Sequence, residues 1–140
     1  VYVGSEDHKL YAFDAASGQR KWAASTGATI FSSPAVANGK VYIGSYDDKL
    51  YTFDAASGQR KWVASTGSGV GSSPAIANGV VYVGSQDRQL YAFNAASGQP
   101  KWTASTGDFI FSSPVVANGV VYVGSKDDKL YAFSLSKNGA

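Results

Sequence analysis

The sequence repeats itself every 40 residues, and this period constrains the fold more than any other feature. Residues 1–40 align without a gap to residues 41–80 and 81–120, and residues 121–140 supply half a further copy. Self-similarity at a period of about 40 residues is typical of architectures in which each repeat is one supersecondary unit. We therefore predict a single domain over residues 1–140 that is divided into these units.

Each unit contains four short segments with the composition of β-strands. In the first unit they are VYVGS (1–5), KLYAFDA (9–15), RKWAAS (20–25) and SSPAVA (32–37). An Asn-Gly pair follows the last segment, and this pair is the strongest short signal for a two-residue hairpin. Gly or Pro interrupts the apolar runs before they reach the length of a helix.

Four strands per 40-residue unit are typical of a β-propeller blade. The strands are apolar on both sides, as in KVYIG and VVYVG, which fits sheets that are covered on both faces. A β-sandwich does not need near-identical units, and the coils of a solenoid are usually shorter. We predict an all-β fold, a complete or partial β-propeller of about 3.5 repeats in this chain.

Composition excludes several classes of function. Apolar residues make up 44% of the 140 residues, enough to fill a core, and the net charge of +2 is not clustered as in a nucleic-acid-binding protein. The absence of cysteine excludes disulfides, thiolate zinc sites and cysteine nucleophiles. No apolar run reaches the roughly 18 residues that a membrane span requires.

The motif A-x-D-x-x-x-G-x-x-x-W occurs three times in phase. Its Asp, Gly and Trp positions are Asp14, Gly18, Trp22, Asp54, Gly58, Trp62, Gly98 and Trp102. Thr52 replaces the alanine of the second copy, and Asn94 replaces the aspartate of the third. The motif resembles the tryptophan-docking motif of quinoprotein-type propellers, namely the pyrroloquinoline-quinone (PQQ) dehydrogenases and their non-enzymatic relatives. The resemblance implies that these residues fasten neighbouring blades, since an indole on an outer strand can bury its surface between two sheets.

The quinone enzymes of that family hold their cofactor with a metal ion and use a carboxylate as base. Such a centre needs residues that occur once, yet Glu6 is the only glutamate here and Asp recurs in every unit. The Asp47–Asp48 and Asp127–Asp128 pairs fit hairpin turns better than a calcium site, which needs six or more oxygen ligands. His8, the single histidine, has no fixed carboxylate partner in the pattern. We predict no catalytic residue, no metal site and no cofactor.

The units differ mainly in two loop regions, which a four-stranded meander brings to the same face. From these loops we predict a ligand-binding face formed by Glu6, His8, Phe31, Tyr46, Asp48, Arg88 and Phe111. The alternative interpretation is unselected variation, because loops tolerate change more readily than strands.

The strand count leaves the first and the last repeat unit incomplete. The first unit lacks an inner strand and the last lacks an outer one, and the chain opens on Val1 inside a strand pattern, as in a processed or truncated chain. Three arrangements fit: imperfect closure of four blades, two chains in an eight-position ring, or a piece of a longer propeller. Open sheet edges favour association, so we predict self-association or completion by the remainder of a larger ring.

The functional hypothesis is a non-catalytic propeller scaffold for protein or ligand binding, without nucleic-acid binding. The alternatives are a fragment of a PQQ-dependent dehydrogenase and a lectin-like multivalent glycan binder. The near-identity of the units also fits a designed or recently amplified repeat. The family resemblance implies a periplasmic or extracellular location.

Overall fold

The computed structural model describes residues 1–135, and within them the regular elements are fourteen β-strands. These are β1 (Tyr2–Gly4), β2 (Lys9–Phe13), β3 (Arg20–Ser25), β4 (Ala35–Ala37), β5 (Lys40–Ser45), β6 (Lys49–Asp54), β7 (Arg60–Ser65), β8 (Ala75–Ala77), β9 (Val80–Gly84), β10 (Gln89–Asn94), β11 (Pro100–Ser105), β12 (Val115–Ala117), β13 (Val120–Ser125) and β14 (Lys129–Ser134).

The strands form four antiparallel sheets, each with its strands in chain order. The sheets are β1–β3, β4–β7, β8–β11 and β12–β14, which we call blades 1 to 4. Blades 2 and 3 have four strands, whereas blade 1 has no inner strand and blade 4 has no outer strand within residues 1–135. The all-β fold of four-stranded blades that the repeat predicts is confirmed.

The hairpin turn between the first two strands of a full blade has the backbone conformation that the Asn-Gly pair predicts. Asn38 and Gly39 have φ values of 51° and 73°, and a type I′ turn requires positive φ at both of its central residues. The inner strand is shorter than predicted, because it begins at Ala35 and not at Ser32. Pro34 has no N–H to donate, and the Ser32 hydroxyl instead accepts a hydrogen bond from the backbone N–H of Gly44 at 3.0 Å.

The hydrophobic core lies between the blades. Leu10 and Ile30 of blade 1 pack in one cluster with Val41, Ile43 and Phe53 of blade 2. Equivalent residues form one cluster between blades 2 and 3 and another between blades 3 and 4. Side chains alternate along a strand, so each blade has a forward face toward the next blade and a backward face toward the previous one. Both faces of an inner blade are therefore apolar and covered.

The two outermost faces of the series are exposed. Leu130, on the forward face of blade 4, is 74% exposed. Its counterparts in the other three blades, Leu10, Leu50 and Leu90, are each 0% exposed. Val1 and Val3, on the backward face of blade 1, are 64% and 46% exposed. Residues 1–135 thus form an arc of four blades with two open apolar ends.

Within residues 1–135, one buried hydroxyl forms no hydrogen bond. Thr52 lies in β6 where blades 1, 3 and 4 have alanine, and its Oγ1 is buried without a partner. An unpaired buried hydroxyl costs about 1–3 kcal/mol. We predict that Thr52→Val, which keeps the volume and removes the hydroxyl, raises the free energy of unfolding by about 1 kcal/mol in a denaturant titration.

Thr66 provides the matched control, since its hydroxyl donates to the carbonyl oxygen of Ser68 at 2.6 Å. Thr66→Val should lower the free energy of unfolding by about 1 kcal/mol because it removes a formed hydrogen bond. Equal losses in the two variants would contradict the assignment of Thr52 as an unsatisfied group.

Candidate functional site

Two sets of loops lie side by side at one end of the blades. The backbone N–H of Tyr46, in the β5–β6 turn, donates to the carbonyl oxygen of Thr29, in the β3–β4 loop, at 3.0 Å. The same bond recurs from Gln86 to Gly69 at 3.0 Å and from Lys126 to Phe109 at 2.9 Å. We call this surface the loop face. It comprises the turns 6–8, 46–48, 86–88 and 126–128 with the loops 28–31, 68–71 and 108–111.

In blades 2 to 4, an aspartate in the turn holds the loop of the preceding blade. Oδ2 of Asp87 accepts hydrogen bonds from the backbone N–H of Gly67 at 2.8 Å and from the hydroxyl of Tyr91 at 2.5 Å. The same carboxylate contacts recur at Asp47 with Gly27 and Tyr51, and at Asp127 with Gly107 and Tyr131. These carboxylates therefore order the loop face.

The tyrosine partners stay neutral over a wide pH range. Burial, with a smaller contribution from the aspartate hydrogen bond, raises the pKa of Tyr51 and of Tyr91 to about 12. The hydrogen bond from Tyr131 is the main cause of the lowered pKa of Asp127. Because the tyrosine pKa lies above its ordinary value of 10.0, these bonds stabilise the fold below pH 10 and are lost as the pH rises through 12.

Three aromatic side chains form a row across the loop face. The rings of Phe31 and Tyr46 meet edge to face, with centroids 5.0 Å apart. A Cβ atom placed on Gly71 would lie 3.1 Å from Cε1 of Tyr46 and 3.6 Å from Cδ1 of Phe111, so this glycine separates the two rings. Phe31 and Phe111 are 55% and 41% exposed. We call Phe31, Tyr46 and Phe111 the aromatic row.

Two further residues extend the row, and the sequence did not single them out. Phe109 packs edge-on against Phe111, with centroids 6.0 Å apart, and Nζ of Lys126 lies 5.6 Å above the Phe111 ring. Phe109 and Lys126 occupy loop positions that differ between the units, and this variation is the sequence signal that could have identified them. Gly71 occupies the position at which the first and third units have phenylalanine. Because glycine has no side chain, a notch lies between Tyr46 and Phe111, which we call the Gly71 notch.

The other predicted ligand-binding residues are not brought together. Glu6, His8, Asp48 and Arg88 are exposed. His8, Asp48 and Arg88 occupy the same turn position in three successive blades, with φ values of 73°, 70° and 74°. The carbonyl oxygen of this turn residue accepts a hydrogen bond from a threonine hydroxyl, at 3.1 Å from Thr26 to His8. The conformation of the turn thus depends on its backbone and leaves the side chain at this position unconstrained.

The residues of the repeated tryptophan motif lie at the blade junctions. Oδ1 of Asp14 accepts from the backbone N–H groups of Ala16 and Ser17 at 2.9 Å, and this turn recurs at Asp54 and Asn94. Nε1 of Trp22 donates to the carbonyl oxygen of Ala55 in blade 2 at 3.1 Å.

Trp62 repeats this hydrogen bond, and Trp102 repeats the packing against a tyrosine of its own sheet. Nε1 of Trp62 donates to the carbonyl oxygen of Ala95 at 3.1 Å, and Trp102 packs beside Tyr82. The indoles of Trp22 and Trp62 lie against Gly58 and Gly98, where a Cβ atom would come within 2.6 Å of the ring. The motif glycines Gly18, Gly58 and Gly98 all have positive φ.

Residues 1–135 contain no group of three or more His, Asp or Glu side chains arranged to hold a metal ion. None of their elements is a helix long and apolar enough to cross a membrane.

The blades and their repeat define a β-propeller protein of the PQQ-like repeat class. The family model described as outer membrane protein assembly factor BamB matches residues 1–71 and 63–140, and the chain belongs to this family. The resemblance seen in the sequence is therefore confirmed.

Two solved structures show the same fold. BamB from Moraxella catarrhalis superimposes with a TM-score of 0.87 at 24% identity, over 99% of this chain and 44% of that chain. The computationally designed Ika4 protein superimposes with a TM-score of 0.84 at 16% identity, over 96% of this chain and 84% of that chain. This chain thus spans less than half of the BamB structure. A search of curated protein sequences returns no match.

Proposed function

We propose that the chain is a non-catalytic scaffold that binds a protein partner through the aromatic row of its loop face. The observation that carries the proposal is the exposure of Phe31 and Phe111 on either side of the Gly71 notch. Exposed aromatic side chains on an ordered surface are typical of protein-binding sites, where a few aromatic residues supply most of the binding energy.

The surface around the row suits a partner with an apolar side chain next to an acidic group. The notch at Gly71 has aromatic walls formed by Tyr46 and Phe111, and Lys126 places its ammonium group over Phe111. Hydrogen bonds between neighbouring blades hold the loop backbones, so little ordering entropy is lost on binding. The family description supports a role in the assembly of outer membrane proteins. The proposed periplasmic location rests on the family resemblance alone.

We predict that peptides selected from a random library for binding to this chain depend on the aromatic row. The double variant Phe31→Ser, Phe111→Ser should bind the selected peptides at least about tenfold more weakly than the wild type, because aromatic anchors are typical hot spots. Dissociation constants from fluorescence anisotropy would measure the effect.

The control is Arg88→Ser, which changes an exposed turn residue outside the row and should leave the affinities within about twofold. Peptides that bind the double variant as tightly as the wild type would contradict the proposed site. Saturable binding of PQQ with calcium, followed by dye-linked alcohol oxidation, would contradict a non-catalytic role.

We also propose that two chains associate end to end, blade 4 of each against blade 1 of the other. Inside the chain, a forward face packs on a backward face at three successive junctions with the same types of side chain. Leu130 and Val3 belong to the two unpaired faces and correspond to Leu10 and Ile43, which pack together in the first of these junctions. The two ends are therefore complementary, and two four-blade chains would close an eight-position ring.

A tyrosine hydrogen bond that links neighbouring blades inside the chain should also form at the junction between two chains. The hydroxyl of Tyr2 donates to Ala55 O at 2.8 Å, and that of Tyr42 donates to Ala95 O at 3.0 Å, each 53 residues ahead. At the same position in blade 4, Tyr122 would donate to the carbonyl oxygen of Ala15 in a second copy. Desolvation raises the pKa of Tyr42 and Tyr82 at the closed junctions.

We predict that sedimentation equilibrium of the wild-type chain shows a species of twice the chain mass that dissociates on dilution. Val3→Asp should hold the protein at the mass of one chain, because it places a carboxylate inside the new apolar junction.

Ala16→Asp is the control, since Ala16 is exposed in the outer turn of blade 1, and it should associate like the wild type. A wild-type chain that keeps the mass of a single chain at all concentrations would contradict end-to-end association.

A further inference from the structure

We infer that the end of the molecule opposite the loop face docks on an anionic lipid bilayer. We call this end the turn face. It comprises the Asn-Gly hairpins 38–39, 78–79 and 118–119 with the residue after each, the turns 14–19, 54–59 and 94–99, and the first two residues of the outer strands β3, β7 and β11. Three features carry the inference: the separation of charge between the two ends, the exposure of the basic side chains and the evenness of the surface.

The fold separates charges that are mixed along the sequence. The loop face contains eight of the ten acidic residues, and only Asp14 and Asp54 lie at the turn face. Of the twelve Lys and Arg residues, two lie in the loop face and six at the turn face. The six are Arg20, Lys21, Lys40, Arg60, Lys61 and Lys101. The turn face is therefore positive and the loop face is negative, although the net charge of the chain is only +2.

The basic side chains of the turn face are available to a ligand. Five of them occupy the first two positions of successive outer strands and are exposed, namely Arg20, Lys21, Arg60, Lys61 and Lys101. The nearby carboxylates are held by their own turns, since Oδ1 of Asp14 and of Asp54 each accepts two backbone N–H groups at 2.9 Å. Blade 3 has the neutral Asn94 at this position.

The pKa of Asp14 agrees with this assignment. The backbone hydrogen bond from Ser17 is the main cause of its lowered pKa, and the charge of Lys21 is the smallest of the causes. The aspartate is thus bound mainly to its own turn and leaves the ammonium group of Lys21 free to attract another anion.

The turns of successive blades form an even surface. Each outer turn is closed by a backbone hydrogen bond of 2.8 Å, to the carbonyl oxygen of Gln19, Gln59 or Gln99. The asparagines of the three hairpins have φ values of 51°, 50° and 53°. Because these turns have the same length and conformation, successive blades end at the same level.

An even basic surface selects a plane of negative headgroups over a folded protein. Protein interfaces are centred on a few aromatic or other large anchors in pockets. The exposed phenylalanines of residues 1–135, however, lie on the loop face. Each Lys or Arg close to an anionic bilayer strengthens binding about fivefold. The negative loop face would point away from the bilayer, which leaves the aromatic row accessible to a protein partner.

The test is co-sedimentation of the full chain with vesicles of phosphatidylcholine and phosphatidylglycerol, beside vesicles of phosphatidylcholine alone. The chain should partition onto the anionic vesicles and stay in solution with the neutral ones. Raising the salt from about 0.1 M to about 1 M shortens the Debye length from about 10 Å to about 3 Å and should release the chain.

A triple variant tests the basic positions. Lys21→Gln, Lys61→Gln and Lys101→Gln together should weaken partitioning at least about tenfold, because they remove one charge from each of three blades. All three lysines are exposed, so the unfolding midpoint should match that of the wild type. An unchanged midpoint separates loss of the docking surface from loss of the fold.

The matched control is the triple variant Lys9→Gln, Lys49→Gln, Lys129→Gln, which removes the same charge beside the loop face. Blade 3 already has glutamine at this position, Gln89. The control should partition within about threefold of the wild type, because its substitutions lie away from the docking surface. The inference is overturned if the chain does not bind anionic vesicles, if it binds neutral ones equally, if both triple variants lose the same affinity, or if soluble polyglutamate binds as tightly as the vesicles.

Discussion

The indole N–H of Trp22 finds its acceptor in the next blade, at the carbonyl oxygen of Ala55. The same bond recurs at Trp62, and it accompanies the apolar contacts between facing sheets. A single blade can form neither the hydrogen bond nor the apolar contacts, because both need a neighbouring blade. Each unit therefore depends on its neighbours for burial, as expected of a repeat architecture.

The same dependence leaves apolar side chains exposed at the two ends of the arc formed by residues 1–135. A forward face without a following blade leaves Leu130 exposed, and a backward face without a preceding blade leaves Val1 and Val3 exposed. A second chain packed against these two faces would cover them.

Local signals in the sequence were sufficient to predict the fold. The 40-residue period, four apolar segments per unit and the Asn-Gly turn act over short distances, and the structure has the sheets and turns they indicate. The inner strand was predicted too long because Ser32 bonds through its side chain.

The candidate site was only partly predictable. Phe31, Tyr46 and Phe111 were chosen as variable aromatic loop residues, and the structure aligns them in one row. The role of Gly71 depends on which side chains pack against it in three dimensions, which a single sequence does not show. Likewise, Asp47 was interpreted as a turn residue, and its bond to Gly27 in the preceding blade became visible only in the structure.

The central claim is that contacts between blades, centred on the tryptophans, stabilise this fold. The most direct test is the free energy of unfolding of Trp62→Ala, measured by denaturant titration beside Trp62→Phe. We predict a loss of about 3–5 kcal/mol for alanine, and a loss smaller by at least about 1 kcal/mol for phenylalanine, which retains an aromatic ring but not the N–H. A loss below about 1 kcal/mol for Trp62→Ala would contradict the claim, because the substitution removes both the packing of the indole on the cluster between blades 2 and 3 and its hydrogen bond to Ala95.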